Sequence, residues 1–156
     1  MPNGLEIAAG GLDDPGVRAL LAEHLDDMYA TSPAESVRAL DLPALRAPAI
    51  SFWTAREAGA VIGVAALKEL SATEGELKSM RTARDARRRG VATALLAHLV
   101  ETAVARGYRR LYLETGSPDA FAPARRLYAA HGFAECGPFG DYPPDPYSVF
   151  MVRRLS

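Results

Sequence analysis

Residues 76–115 read as strand, helix and strand in succession, and this run narrows the folds open to the chain more than any other part of it. Glu76-Leu77-Lys78-Ser79-Met80-Arg81-Thr82 suits a strand, and after a short connection a helical pattern begins at Gly90. Val91, Leu95, Leu99 and Ala103 then fall on one face, Gly107 supplies the stop, and residues 110–115 read as a second strand. Two strands joined through a helix lie parallel in one sheet, with a right-handed crossover. The chain is therefore expected to hold a parallel strand pair with a helix against the sheet.

The remaining pattern surrounds that unit. Asp13-Asp14-Pro15 offers a cap and a first-turn proline, and Val17, Leu20, Leu21, His24, Leu25 and Met28 follow at helical spacing, predicting a helix over residues 14–29. Ser32-Pro33-Ala34-Glu35 has the form of a capping box, so a second short helix is expected to begin there. Residues 50–55 and 60–67 read as strands joined by a hairpin turn at Arg56-Glu57-Ala58-Gly59. Residues 123–130 read as a helix that starts on Pro123 and closes at Gly132, and 147–153 as a last strand. The Pro-rich stretch 138–146 reads as a shaped loop. The result is α/β, a single domain over residues 1–156 with one mixed sheet, mainly antiparallel in its early part.

Composition limits the function classes. The 156 residues suit one domain, and a formal net charge of -1 gives no global field calling for nucleic acid or an anionic membrane. No apolar run approaches the ~20 residues that a bilayer demands, and no basic segment followed by an apolar run opens the chain. A soluble, cytoplasmic protein is the expectation. The single cysteine, Cys136, has no disulfide partner and no metal-ligand spacing around it, so it reads as a small core residue and no metal is expected.

Charge is nevertheless uneven: Arg81, Arg84, Arg87, Arg88 and Arg89 crowd together just before the helix. The first amides of a helix have no partner within it and, with the helix dipole, form a natural anion site. Gly90 would let a ligand approach the backbone without a Cβ in the way, and Ala92 keeps the next approach close. Neither G-x-G-x-x-G nor G-x-x-x-x-G-K-S/T occurs.

The segment Arg87-Arg88-Arg89-Gly90-Val91-Ala92 resembles the (Q/R)-x-x-G-x-(G/A) signature of the GNAT superfamily of N-acetyltransferases. One strand further on, Ala124-Arg125-Arg126-Leu127-Tyr128-Ala129-Ala130-His131-Gly132-Phe133 is similar to that family's A-x-x-L-Y-x-x-x-G-F. The tail from Phe139 to Met151 resembles a small bacterial subgroup, the YsnE-like acetyltransferases. The resemblance implies one strongly twisted sheet with helices on both faces, two N-terminal helices over the acceptor side, and a central parallel pair that splays. It implies acetyl-CoA as donor, its pantetheine arm pairing with main-chain groups at Met80 and Thr82, flanking Arg81. Its pyrophosphate would lie on the amides from Arg88 to Thr93. Dimers are common in the family. Where the family often has Asn, three residues before the Ala of its second motif, this chain has Phe121, so a polar contact to the pantetheine arm is expected to be missing or supplied by backbone.

Individual residues carry open alternatives. Tyr128 is either an amphipathic core tyrosine or, as the resemblance implies, the acid that protonates the departing thiolate. Glu76 is either the general base for an amine acceptor or a solvent-facing strand carboxylate, and Glu114 competes for the base role. Arg81 and Arg84 read as a solvated basic face, whereas Arg87, Arg88 and Arg89 lean toward the anion site. His24 is a half-buried helix histidine or a substrate contact, His131 a partner for its helix C-terminus. Glu35 and Tyr142 are further candidates for the acceptor site. Asp26, Asp27, Glu35, Asp141 and Asp145 would suit a cationic acceptor if the fold brought them to one cleft. The acceptor is expected to be a small-molecule or protein amine, and the alternative is a CoA-binding sensor without turnover.

Overall fold

The computed structural model describes residues 4–36, 42–86 and 90–155. Seven strands form one sheet: β1 (Leu5–Ala9), β2 (Ile50–Glu57), β3 (Ala60–Ser71), β4 (Glu74–Thr82), β5 (Arg110–Gly116), β6 (Ala134–Cys136) and β7 (Ser148–Arg154), in the order β1-β2-β3-β4-β5-β7-β6. Among the described residues only β4 and β5 pair in parallel; the other ladders are antiparallel. The strand pair joined through a helix thus lies at the centre of the sheet.

Helices α1 (Pro15–Thr31) and α2 (Leu42–Leu45) cover one face, α3 (Val91–Ala105) and α4 (Ala122–Ala130) the other. The start of α1 follows its sequence signal: the Asp14 carboxylate accepts the N–H of Gly16 at 2.8 Å, and Pro15 takes the first turn. Ser32 behaves differently from expectation. Its N–H donates to Met28 O at 3.0 Å, so it closes α1, and the helix expected beyond it is a single 3-10 turn, Ala34–Ser36. The β2–β3 hairpin turns on Ala58 and Gly59, both with positive φ (51° and 82°). Strands β1 and β6 were not expected, being short and without a clear alternating pattern.

Two apolar layers hold the helices. Leu67, Leu77, Leu95, Leu96, Leu99, Leu111 and Leu113 fill the α3–α4 side, and Val17, Leu20, Leu21, Leu45, Phe52 and Val64 the α1–α2 side. The face of α3 read from the sequence is the one buried. Helix α3 comes so close to β3 that a Cβ on Gly63 would stand 2.8 Å from Val91 Cγ1 and 2.9 Å from Leu95 Cδ1.

Two irregularities distinguish β4 from its neighbours. Lys78 lies opposite Ala66 and Arg81 opposite Val64, so β4 spends one residue more than β3 over this stretch, with Ser79 at φ 54°. This bulge resets the alternation. Glu76, Lys78 and Arg81 all face α1, while Leu77, Met80 and Thr82 face α3 and α4. In addition, β4 pairs with β5 only from Glu74↔Arg110 to Leu77↔Leu113, although β5 stays with β7 as far as Gly116↔Ser148. Beyond Leu77 the two central strands part, leaving a notch.

Candidate functional site

The notch is bounded by main-chain groups of β4 that no strand takes up. Met80 and Thr82 lie along this edge, and Ser79 Oγ and Thr82 Oγ1 are buried with no partner among the described residues. An extended, amide-bearing ligand could satisfy such an edge as an added strand would. The notch leads to the start of α3. Gly90 there has φ 82° and ψ 9°, a left-handed conformation that glycine adopts without strain, and its lack of a side chain leaves the helix start uncapped. Val91 is buried against the sheet, and Thr93 is exposed on the first turn. These features fit the pantetheine and pyrophosphate portions of acetyl-CoA. Arg87, Arg88 and Arg89 lie outside the described residues.

Tyr128 reaches the notch from below. It is buried on α4, its ring meets Phe133 edge-on with centroids 5.9 Å apart, and its hydroxyl donates to Met80 Sδ at 3.9 Å. Burial, with a smaller contribution from the Glu114 charge, pushes its phenol up to about 12. It therefore stays protonated throughout the neutral range. Phe121, in place of the family's asparagine, packs its ring over Gly116, where a Cβ would stand 2.3 Å from the ring. The side chain at that position serves packing.

Arg81 does not belong to a solvated basic face. Its guanidinium, 7% exposed, is held by Glu23 and Asp27, one turn apart on α1. Arg84 meets the same two acids, Asp27 at 2.7 Å and Glu23 at 3.5 Å, and keeps more than half its side chain in solvent. The guanidinium of Arg81 beside Asp27 holds that carboxyl below its ordinary range. Any contact from Arg81 to a ligand in the notch thus falls to its main chain. This clasp ties α1 to the end of β4 and also removes Asp27 from the acids that could have welcomed a cationic acceptor. Asp145 is similarly engaged, accepting the N–H of Tyr147 at 2.8 Å. Glu35 is exposed on the 3-10 turn.

On the α1 face of the sheet, Glu76 is not solvent-facing: it is 2% exposed. Lys78, two residues on and therefore on the same strand face, donates to Glu76 Oε2 at 3.1 Å and to the Tyr142 hydroxyl at 2.7 Å. Tyr142 in turn donates to Glu76 Oε2 at 2.5 Å. The loop 137–147 that carries Tyr142 is seated by an aromatic cluster in which Phe139 stacks on Tyr112 (4.7 Å) and Tyr142 meets Phe150 (5.5 Å). Glu114 accepts from Ser148 Oγ at 2.7 Å.

His24 points Nδ1 into the protein with no hydrogen-bond partner among the described residues, and burial, then the Arg81 charge, pushes its imidazole down to about 4. His131 does what its position implies: Nδ1 lies 2.8 Å from Leu127 O at the end of α4. Cys136 is half-buried on β6, and burial pushes its thiol up, away from reactivity. Lys78 was not singled out from the sequence, though its i, i+2 spacing from Glu76 was a usable sign. Nothing local could have announced that Tyr142 reaches a strand so distant in sequence. Among the described residues, no helix is long and apolar enough to cross a membrane, and no group of three or more His, Cys, Asp or Glu side chains could hold a metal ion.

Comparison with known proteins agrees with this geometry. The chain is 52% identical over 139 residues to the N-acetyltransferase YsnE of Bacillus subtilis, covering 89% of this chain and 92% of the relative. Its fold superposes with a TM-score of 0.78 on an acyl-CoA N-acyltransferase structure from Klebsiella pneumoniae, at 27% identity and 97% and 98% coverage. It also superposes on a GNAT family acetyltransferase from Elizabethkingia anophelis with acetyl-CoA bound (TM-score 0.69, 16% identity, 98% and 99% coverage), a likeness of fold. The sequence model of the acetyltransferase (GNAT) family matches residues 17–133, a span containing the notch, the start of α3 and Tyr128. With the splayed strands, the uncapped helix start and the tyrosine beneath them, this match means that the chain belongs to the GNAT family of acetyltransferases.

Proposed function

We propose that the protein moves the acetyl group of acetyl-CoA to a primary amine by direct transfer, with both substrates bound together. The observation that carries this reading is the position of Tyr128, whose buried hydroxyl lies against Met80 at the floor of the notch. Acetyl-CoA supplies the thioester. Main-chain groups at Met80 and Thr82 align its arm, and amides from Arg88 to Thr93 receive its pyrophosphate. Main-chain N–H groups near Met80 polarise the carbonyl that is attacked.

An amine has an unperturbed pKa near ~10 and must shed a proton to attack. Glu76, on the α1 face of the same strand, takes that proton directly or through a water. Tyr128 offers its hydroxyl proton to the sulfur as negative charge collects there. Glu114, close enough for its charge to act on Tyr128, faces the same region and is the competing base. His24, Glu35 and Tyr142 border the acceptor side, which takes a small-molecule or protein amine.

The test is release of free thiol from acetyl-CoA with spermidine, tyramine, free amino acids, an aminoglycoside and an unblocked peptide as acceptors. Turnover is expected with at least one amine, and Tyr128→Phe should lower it by about tenfold to several hundredfold at saturating acetyl-CoA. An unchanged rate removes the acid role. Acetyl-CoA that binds but is never consumed overturns the reaction itself.

A further inference from the structure

The loop 137–147 and the strand it covers share one buried polar centre. Glu76 Oε2 receives both the Lys78 ammonium and the Tyr142 hydroxyl, and Tyr142 accepts from Lys78 in turn. The direction of every bond is fixed by chemistry. An ammonium can only donate, so the phenol oxygen accepts from Lys78 and the phenol proton goes to Glu76. Both donors converge on the one oxygen, Oε2, which accepts from each. Among the described residues neither bond goes to Oε1.

Both contacts are needed by a charge so placed. Glu76 is 2% exposed and the Lys78 side chain 7%. A carboxylate at that depth is costly unless it is paired and hydrogen-bonded. Lys78 comes from the strand, and its ammonium also lies 5.4 Å from the Tyr142 ring centroid. Tyr142 comes from a loop held to the sheet by ring contacts of Phe139 with Tyr112 and Phe150 and of Tyr142 with Phe150. The other groups facing Glu76 are Lys68 on β3 and Tyr112 on β5, directly opposite in register, and Glu74 and Glu114 further along the same face. On α1, Glu23 and Asp27 are engaged by Arg81, further along the same face of β4.

We propose that Lys78 and Tyr142 are positioning residues for Glu76, the first holding its carboxylate charged and the second completing that cradle only while the loop 137–147 is seated. Seating of the loop and readiness of the base then become one event. The inference rests on Glu76 as the base in the reaction proposed above.

Its test needs no acceptor. Protein labelled with ¹³C at the glutamate carboxyl carbon is titrated by NMR, and the Glu76 signal is identified as the one missing from Glu76→Gln. Relative to the unsubstituted protein, the pH at which that signal titrates should rise by about one unit or more in Lys78→Met, where a buried carboxylate loses its cation. A smaller rise is expected in Tyr142→Phe, and Lys78→Arg should return most of the lost ground. Tyr142→Phe keeps the ring contacts, so it decides the matter should Lys78→Met fail to fold. Coincident titrations in every variant that folds overturn the proposal. Turnover of Glu76→Gln in the acceptor screen is read separately. Near-full activity there removes Glu76 as base, and with it the catalytic meaning of the cradle, whatever the titrations show.

Discussion

Gly63→Ala is a one-methyl change that should reach the donor site through packing alone. The added Cβ would stand 2.8 Å from Val91 Cγ1, 2.9 Å from Leu95 Cδ1 and 3.4 Å from the Arg81 carbonyl. Leu95 can turn its terminal methyl aside, but Val91 is β-branched, 2% exposed and fixed at the first position of α3. The easier response is for the first turn of α3 to lift by a few tenths of an ångström. Overpacking of this kind costs about 1–3 kcal/mol, and a domain of this size loses roughly 2–4 °C in Tm per kcal/mol. A Tm lower by about 2–12 °C is therefore expected. Because Val91 follows Gly90 directly, the same lift moves the amides proposed to hold the pyrophosphate. The KM for acetyl-CoA should rise more than the KM for the amine. Differential scanning calorimetry and steady-state kinetics read the two arms. A Tm within a degree of the parent would show that the contact relaxes without cost. A lowered Tm with an unchanged KM for acetyl-CoA would show that the start of α3 does not position the donor.

Two further perturbations address the α1 side. Arg81→Gln leaves Glu23 and Asp27, among the described residues, with the exposed Arg84, and since those acids are 27% and 32% exposed the loss should be on the order of 2–3 kcal/mol in urea unfolding, below that of a fully buried pair. Arg84→Gln, at an exposed arginine, should cost less than about 1 kcal/mol, and equal losses would refute the distinction. His24 has its imidazole depressed to about 4, so the unfolded chain binds its proton first as pH falls from 6.5. Its contribution is complete above about 6.5 and is lost as pH falls toward 4. His24→Leu should flatten the fall of the urea midpoint across that window; parallel curves for the two proteins would exclude His24 as a source of acid sensitivity.

The central βαβ unit was legible because its signals are local: Gly90 and Gly107 bracket α3, and Val91, Leu95, Leu99 and Ala103 give its buried face. The two-stranded hairpin was legible for the same reason. Strand β1 was not, since Leu5–Ala9 is short and held by its full ladder on β2. Ser32 misled because a capping-box residue and a helix-closing residue look alike when the competing bond, here to Met28 O, cannot be seen. Within the candidate site, Tyr128 and Gly90 were singled out by motif position, and Glu76 by its residue type. The pairing of Arg81 with Glu23 and Asp27 could not be read, because strict alternation along residues 76–82 puts Arg81 on the wrong face. One inserted residue at the bulge decides that point, and the sequence carries no mark of it. Ser79 adopts its positive φ without being Gly, Asn or Asp.

That extra residue has a consequence for how the gene can drift. Strands usually tolerate a conservative swap better than a lost residue, yet here the order should reverse for a β-branched swap. Removing Ser79 would take out the bulge and restore regular alternation, leaving Lys78 and Arg81 on the α1 face and Leu77 and Met80 on the other. A β-branched residue in place of Ser79 resists a φ of 54° and presses the strand to straighten with all its residues, which would deliver the Arg81 charge into the apolar layer under α3 and withdraw Met80 from Tyr128. Replacing Ser79 by glycine preserves the phase and even suits the backbone. Loss of Ser79 should therefore be tolerated better than its replacement by valine or isoleucine. The bulge lets Lys78 and Arg81, an odd number of residues apart, share one face of a single strand.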